Sequence, residues 1–285
     1  MISGIINVLK PVGMTSNHVV SNIKKVLKPK KIGHLGTLDP SGTGVLPVCI
    51  NKATKLFDYY LKKDKIYRAI FVFGKETDTL DSDGKVINSE DIDIKQEDLQ
   101  NILPNFIGKI EQLPPKYSAK NVNGKKAYDL ARNGVDFELK PKKVEIFDIK
   151  LLHKIKKNTY LFEIHCSSGT YIRSIARDIA QELNTVAYMP AIIRTKSGNF
   201  DIDYATRMEE IKEENIIPLK NILESWKNIF VSNQFYDKII NGCSVKVDFE
   251  DGNNYVVNCN NEIIGIGDIE NGHLKIKTNL QEKND

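Results

Sequence analysis

Four glycines fall within twelve residues of this chain, in the run Gly33-His34-Leu35-Gly36-Thr37-Leu38-Asp39-Pro40-Ser41-Gly42-Thr43-Gly44. Neither a helix interior nor a central strand carries glycine at that density. The run therefore predicts a loop of tight turns that a ligand can approach closely. Asp39 is its only acid, set between apolar Leu38 and Pro40, which removes a backbone donor beside it. Upstream, Thr15-Ser16 reads as an N-cap. Val19, Val20, Ile23, Val26 and Leu27 follow at helical spacing until Pro29 stops the helix.

Downstream, residues 66–73 are β-branched and aromatic and predict a buried strand ending at Gly74. Asp81-Ser82-Asp83-Gly84 predicts a turn, and residues 125–132 a short helix with an αL stop at Asn133-Gly134. Two strands follow at 144–152 and 160–166. Ile172, Ile175, Ala176, Ile179, Ala180 and Leu183 then trace one apolar helix face. From Val231 the pattern changes to short strands with Asn-Gly and Asp-Gly turns. The residues predict an α+β protein with a small all-β appendage, divided into units of 1–229 and 230–285.

The net charge of +4 hides an asymmetry. Residues 1–75 carry thirteen Lys or Arg against three acids, and 140–157 carry seven Lys against two acids. Residues 76–98 carry nine acids against two Lys, and the segment from Phe230 carries nine acids against five Lys. Two basic blocks fit a polyanion-binding surface, although solvated lysines explain the charge alone more simply.

The sequence disfavours several function classes. No apolar run reaches the ~18 residues of a membrane span, and the first nine residues read as a strand rather than a signal peptide. Cys49, Cys166, Cys243 and Cys259 are scattered without a C-x-x-C pair, which disfavours a disulfide scaffold or a thiolate zinc site. A cytoplasmic, metal-independent protein is expected. The glycine run has neither G-x-x-x-x-G-K-[ST] nor G-x-G-x-x-G, so nucleotide hydrolysis and dinucleotide binding are poorly supported. Glycoside hydrolysis would need a second carboxylate facing Asp39.

Through the pattern G-H-x-G-x-L-D-P, residues 33–46 resemble the active-site signature of the TruB family, the bacterial tRNA pseudouridine-55 synthases. Lys10-Pro11-Val12-Gly13-Met14-Thr15-Ser16 is similar to that family's opening motif. Pro114-Pro115-Lys116-Tyr117-Ser118-Ala119-Lys120, with Gly124-Lys125-Lys126-Ala127-Tyr128, resembles its P-P-x-Y-S-A-x-K…G-x-R-A-Y pattern. Cys166-Ser167-Ser168-Gly169-Thr170-Tyr171-Ile172-Arg173-Ser174 and Ile193-Arg194-Thr195-Lys196-Ser197-Gly198-Asn199-Phe200 resemble two later blocks. The resemblance covers residues 1–200 and weakens beyond them. It implies a pseudouridine-synthase-type mixed, mainly antiparallel sheet with flanking helices, and a small PUA-like β domain at the C-terminal end. It implies isomerisation of uridine 55 in the T-loop of tRNA, by a monomer with no cofactor and no obligate protein partner. Residues 116–143 are similar to an inserted loop that closes on RNA, which moves the reading of the basic blocks toward RNA. The acidic balance of the tail is unfavourable for the same role.

Carried over by position, Asp39 corresponds to the family's essential aspartate, and Arg173 to the arginine that pairs with it and orients it. The implied reaction detaches uracil from its ribose, rotates it and rejoins it through carbon 5. That needs a nucleophile or base rather than a metal or redox cofactor. Tyr67 corresponds to the aromatic under the flipped uracil, and His34 to a histidine contacting the loop from which the base is withdrawn. Tyr171 and Ile192 correspond to further walls of the pocket. Without the resemblance, Tyr67 and Tyr171 read as packed tyrosines, Ile192 as core, His34 as a structural histidine and Arg173 as a surface helix residue. Two departures stand out. Ser41-Gly42-Thr43-Gly44 replaces L-A-T-G, which should give the turn more backbone freedom. Ile192-Ile193-Arg194 replaces Leu-Arg-Arg, which removes one charge expected to touch an RNA phosphate.

Overall fold

The computed structural model describes residues 2–118, 120–122 and 124–281; Ala119 and Asn123, both within the segment 116–143, lie outside the described residues. The large sheet runs Thr206–Arg207, Gly4–Lys10, Thr43–Ile50, Ala187–Ser197, Lys65–Phe73, Thr159–Cys166, Lys142–Lys156, Gly108–Gln112. Neighbours along it pair antiparallel except at two places. Thr206–Arg207 runs parallel to Gly4–Lys10, and Ala187–Ser197 runs parallel to Thr43–Ile50. The mixed, mainly antiparallel sheet with flanking helices is therefore what forms.

Alternation along Lys65–Phe73 explains one core. Tyr67, Ala69, Phe71 and Phe73 point to one face, where they meet Ile146, Phe162 and Ile164. The Ile172–Glu182 helix covers that face with Ile172, Ile175, Ala176, Ile179 and Ala180, the period expected of it. Gly4–Lys10 and Thr43–Ile50 are instead buried on both faces. The Ser16–Leu27 helix packs Val19 and Ile23 on one side, against Ile6, Val8, Leu46 and Val48. On the other side Ile5, Val45 and Cys49 join Val256, Ile266 and Leu280 of the tail.

The tail sheet runs Asn228–Phe230, Gly252–Cys259, Glu262–Glu270, His273–Asn279, Val245–Lys246. A short helix, Tyr236–Ile240, accompanies it and buries Ile239, an element too brief for periodicity to announce. Polar ties also cross to the helical segment that follows Thr43–Ile50. Tyr59 and Thr278 share a hydroxyl hydrogen bond of 2.9 Å, and Lys55 donates to the Asn279 carbonyl at 2.6 Å.

Local predictions held with small shifts. Thr15 Oγ1 accepts from the His18 amide, and Lys28 closes the helix in the left-handed region. Within 116–143, Lys125–Lys126 pair with Asn121–Val122, so the helix expected from 125 starts only at Ala127. The basic segment 140–157 is extended rather than clustered. It forms one fifteen-residue strand, Lys142–Lys156, which spans at most roughly 45 Å at ~3.3 Å per residue and is irregular at three places in its pairing. Its lysines cannot act as one cluster. Among the described residues, no helix is long and apolar enough to cross a membrane.

Candidate active site

The glycine run leaves the Ile32–His34 strand and enters Thr43–Ile50, and between them it is fastened from several sides. Leu35 is buried in the cluster shared with the tail, and Leu38 in the cluster under the Ile172–Glu182 helix. Ser16 Oγ donates to the Leu38 carbonyl at 3.0 Å and accepts from the Leu38 amide at 2.9 Å. The Gly13 amide donates to the Pro40 carbonyl at 2.8 Å, and the Gly42 amide to the Asp39 carbonyl at 3.0 Å. Lys10, wholly buried, donates to the carbonyls of Pro11 at 2.8 Å, Met14, and Pro40 at 3.3 Å. Burial pushes its ammonium down to about 8, and that of Lys65, 4% exposed, equally far.

Two glycines of the run behave differently. Gly44 has φ +106, and a Cβ there would stand 2.2 Å from the Arg194 carbonyl, its parallel strand partner. Only glycine fits that approach. Gly42 lies outside the left-handed region, so the extra backbone freedom expected of it goes unused. A Cβ at Gly42 would meet Ile192 Cγ2 at 3.2 Å.

From this loop Asp39 projects with a side chain 42% exposed, and its Oδ2 meets Arg173 Nη2 at 2.8 Å. Arg173 is 6% exposed, not a surface helix residue. Its Nη1 donates to Asp81 Oδ2 at 2.9 Å and to the Thr79 carbonyl at 3.0 Å, and Nη2 donates to the Tyr117 carbonyl at 3.1 Å. Asp81 is equally buried and accepts from Thr79 Oγ1 at 2.6 Å and from the Asp83 amide at 3.0 Å. Planar donors in a fixed fork suit such bridging. One guanidinium thus stands between two carboxylates, so Asp81 is not the open, facing partner that glycoside hydrolysis requires.

Tyr67 and Ile192 lie with Leu38 and Ile172 in one apolar cluster. Burial raises the pKa of the Tyr67 phenol, while the Arg194 guanidinium beside it pulls the other way. Tyr171 sits just before the helix, clamped by Gln112, which accepts from its amide at 2.8 Å and donates to its carbonyl at 3.1 Å. Its half-buried phenol, near Ser118, is also raised by burial. His34 pairs opposite Val48, and burial followed by the Arg194 charge lowers its pKa. No hydrogen bond or ion pair among the described residues ties His34 to Asp39 or Arg173.

Sequence reasoning missed Ser16, Asp81, Gln112 and the buried role of Arg194. Arg194 is 1% exposed and donates to backbone carbonyls, so it contacts protein rather than phosphate. Gly44 was the available signal, since a glycine entering a buried strand marks a close backbone approach. Asp81 offered none, because nine acids crowd residues 76–98.

The family model described as "TruB family pseudouridylate synthase (N terminal domain)" matches residues 24–172. The tRNA pseudouridine synthase B of Caldanaerobacter subterraneus subsp. tengcongensis is 40% identical over 281 residues, 97% of this chain and 98% of that protein. Its counterpart from Clostridium acetobutylicum is 39% identical over 283 residues, covering 96% and 98%. A solved H/ACA RNP bound to a substrate RNA containing 2'-deoxyuridine includes a chain that superposes with TM-score 0.72 at 21% identity, covering 99% of this chain and 86% of that one. The archaeal box H/ACA sRNP Nop10-Cbf5 complex gives TM-score 0.72 at 21% identity, covering 99% and 87%. At those identities the two structures speak for the fold alone. The full-length relatives speak for more: this chain belongs to the TruB family of pseudouridine synthases.

Proposed function

We propose that this chain isomerises uridine 55 in the T-loop of tRNA to pseudouridine, flipping the base into a pocket where Asp39 reacts. The observation that carries the reading is the Asp39–Arg173 pair, half open to solvent at the carboxylate and locked at the guanidinium. The relatives named tRNA pseudouridine synthase B support the substrate class. Isomerisation conserves composition. The bond from ribose C1′ to uracil N1 breaks, one from C1′ to C5 forms, the C5 hydrogen leaves as a proton, and N1 gains a proton. A single carboxylate at the reacting centre can serve as nucleophile or base.

Arg173, itself held by Asp81, Thr79 and Tyr117, fixes the direction of that carboxylate. Tyr67 supports the flipped uracil, Ile192 and Tyr171 wall the pocket, and His34 contacts the loop the base has left. Flipping costs a few kcal/mol, and stacking on an aromatic returns ~1–3 kcal/mol. Residues 116–143 close over the RNA from a root at Tyr117, whose carbonyl already touches Arg173. Residues 1–229 form the catalytic unit of a cytoplasmic monomer that uses no cofactor, and 230–285 form an appended PUA-like β domain. The test is incubation with an unmodified tRNA transcript and mapping of pseudouridine. Modification at position 55 is expected; modification confined to other positions, or none, overturns the reading.

A further inference from the structure

Arg194 is the largest fully buried side chain of the described protein. Among the described residues, no carboxylate lies within ion-pair distance of it. A desolvated cation without an anion is costly, and it persists only where other groups satisfy its donors. Here they are backbone carbonyls: Val45 at 2.7 Å from Nε, Gly36 at 3.1 Å from Nη2 and Thr37 at 3.4 Å from Nη1. Gly36 and Thr37 precede Asp39 in the loop, and Val45 follows it. One guanidinium therefore ties together the two ends of the segment that carries Asp39.

The backbone of the same residue does complementary work. Arg194 stands in register with Gly44 on one side and with Tyr67 on the other. Its guanidinium lies beside the Tyr67 hydroxyl. We propose that Arg194 is a positioning residue for the isomerisation, setting the separation between the Asp39 carboxylate and the Tyr67 ring. This rests on the reading that both groups face the flipped uracil. Lysine cannot substitute fully, because a single ammonium lacks the planar fork that reaches carbonyls on both sides of the loop.

The test uses Arg194→Lys and Arg194→Gln in the full chain, with an unmodified tRNA transcript and amide hydrogen exchange on the free protein. Both variants should remain folded at the assay temperature, with faster exchange in residues 33–44 and unchanged exchange in the tail strands. Single-turnover conversion at saturating enzyme should fall by about 100-fold, the cost of misplacing reacting groups by about an ångström, while tRNA affinity is retained. Arg194→Lys should be the less impaired of the two. Unchanged exchange at 33–44, an unchanged saturated rate in a folded variant, or a rate loss that only follows the unfolded fraction would each overturn the proposal. Weaker binding with a normal saturated rate would do so too, by making Arg194 an RNA contact. If the wild type fails to modify position 55, the substrate reading falls, and the exchange arm still decides whether Arg194 holds the loop.

Discussion

Asp39 and Arg173 meet at 2.8 Å with side chains 42% and 6% exposed, so the two ends of one ion pair live in different solvents. Asp39→Asn removes the charge and keeps the shape, while Arg173 retains Asp81, Thr79 and Tyr117 as partners. Turnover should drop by a factor of roughly 10³ or more, with tRNA affinity and unfolding midpoint near wild type. Single-turnover conversion beside a binding titration checks this. Appreciable turnover in a verified preparation would remove Asp39 from the reaction.

Arg173→Met should act on stability as well as rate. It leaves Asp81, 6% exposed, without its cation, and a buried unpaired carboxylate costs ~3–5 kcal/mol. Adding Asp81→Asn should restore part of that loss. Urea unfolding of the single and double variants measures it; no recovery in the double variant would contradict the pairing.

Gly44→Ala and Gly13→Ala separate space from backbone angle. Gly13 has φ +82, and the position its Cβ would take has nothing within 4 Å, so its alanine should cost only the left-handed penalty of ~1–2 kcal/mol. At Gly44 the added Cβ also strikes the Arg194 carbonyl, which cannot retreat without parting two central strands. That loss should exceed the first by ~1–3 kcal/mol. Similar unfolding midpoints for the two variants would argue against the close approach.

Stability should rise from about pH 8, level off near pH 9 and fall above pH 10.5. Lys10 and Lys65 have folded pKa values of about 8 against 10.5 unfolded, so above pH 8 the folded state releases protons that the unfolded chain keeps. Where the unfolded state binds more protons, stability increases with pH. The buried thiols of Cys49 and Cys166 act oppositely, raised from 9.0 to about 12, and they withdraw stability above pH 9. Lys10→Met should flatten the rise and bring the start of the decline down to about pH 9. A monotonic fall from pH 7.5 in the wild type would contradict the burial of both ammonium groups.

The separation along Lys142–Lys156 predicts unequal lysines. Lys142 lies against the turn at Gly169, just before Tyr171 and Arg173, whereas Lys154 and Lys156 sit at the far end. Neutralising Lys142 and Lys143 should weaken tRNA binding and lower the salt slope by about one to two units. Neutralising Lys154 and Lys156 should change it less. Tyr67→Ala should leave the slope alone and reduce conversion. Equal slopes for the two lysine pairs would mean that RNA follows the whole strand.

Tyr67, in an ordinary strand, became a candidate only by correspondence of position, whereas Asp39, Tyr171 and Arg173 were legible as candidates because each sits in a short run that resembles a family motif. Their supports were not. Arg173 reaches Asp81 across 92 positions and Tyr117 across 56, and Arg194 reaches Gly36 across 158. Nothing in a window of sequence distinguishes Asp81 from the acids around it, since its burial is made by a distant guanidinium. Periodicity found the Ile172–Glu182 helix because eleven residues repeat a face three times, and it failed on the five-residue Tyr236–Ile240.

Leu35 packs with Ile5 and Val45 near the start of the chain and with Val256, Ile266 and Leu280 near its other end. Translation delivers these groups at opposite times. While the ribosome is still synthesising the tail, Leu35 lacks part of its packing and the loop that carries Asp39 is incompletely anchored. The nascent chain therefore exposes the motif before Val256, Ile266 and Leu280 arrive to complete the apolar cluster around Leu35, and the packing that anchors the loop of Asp39 is finished later than the motif itself.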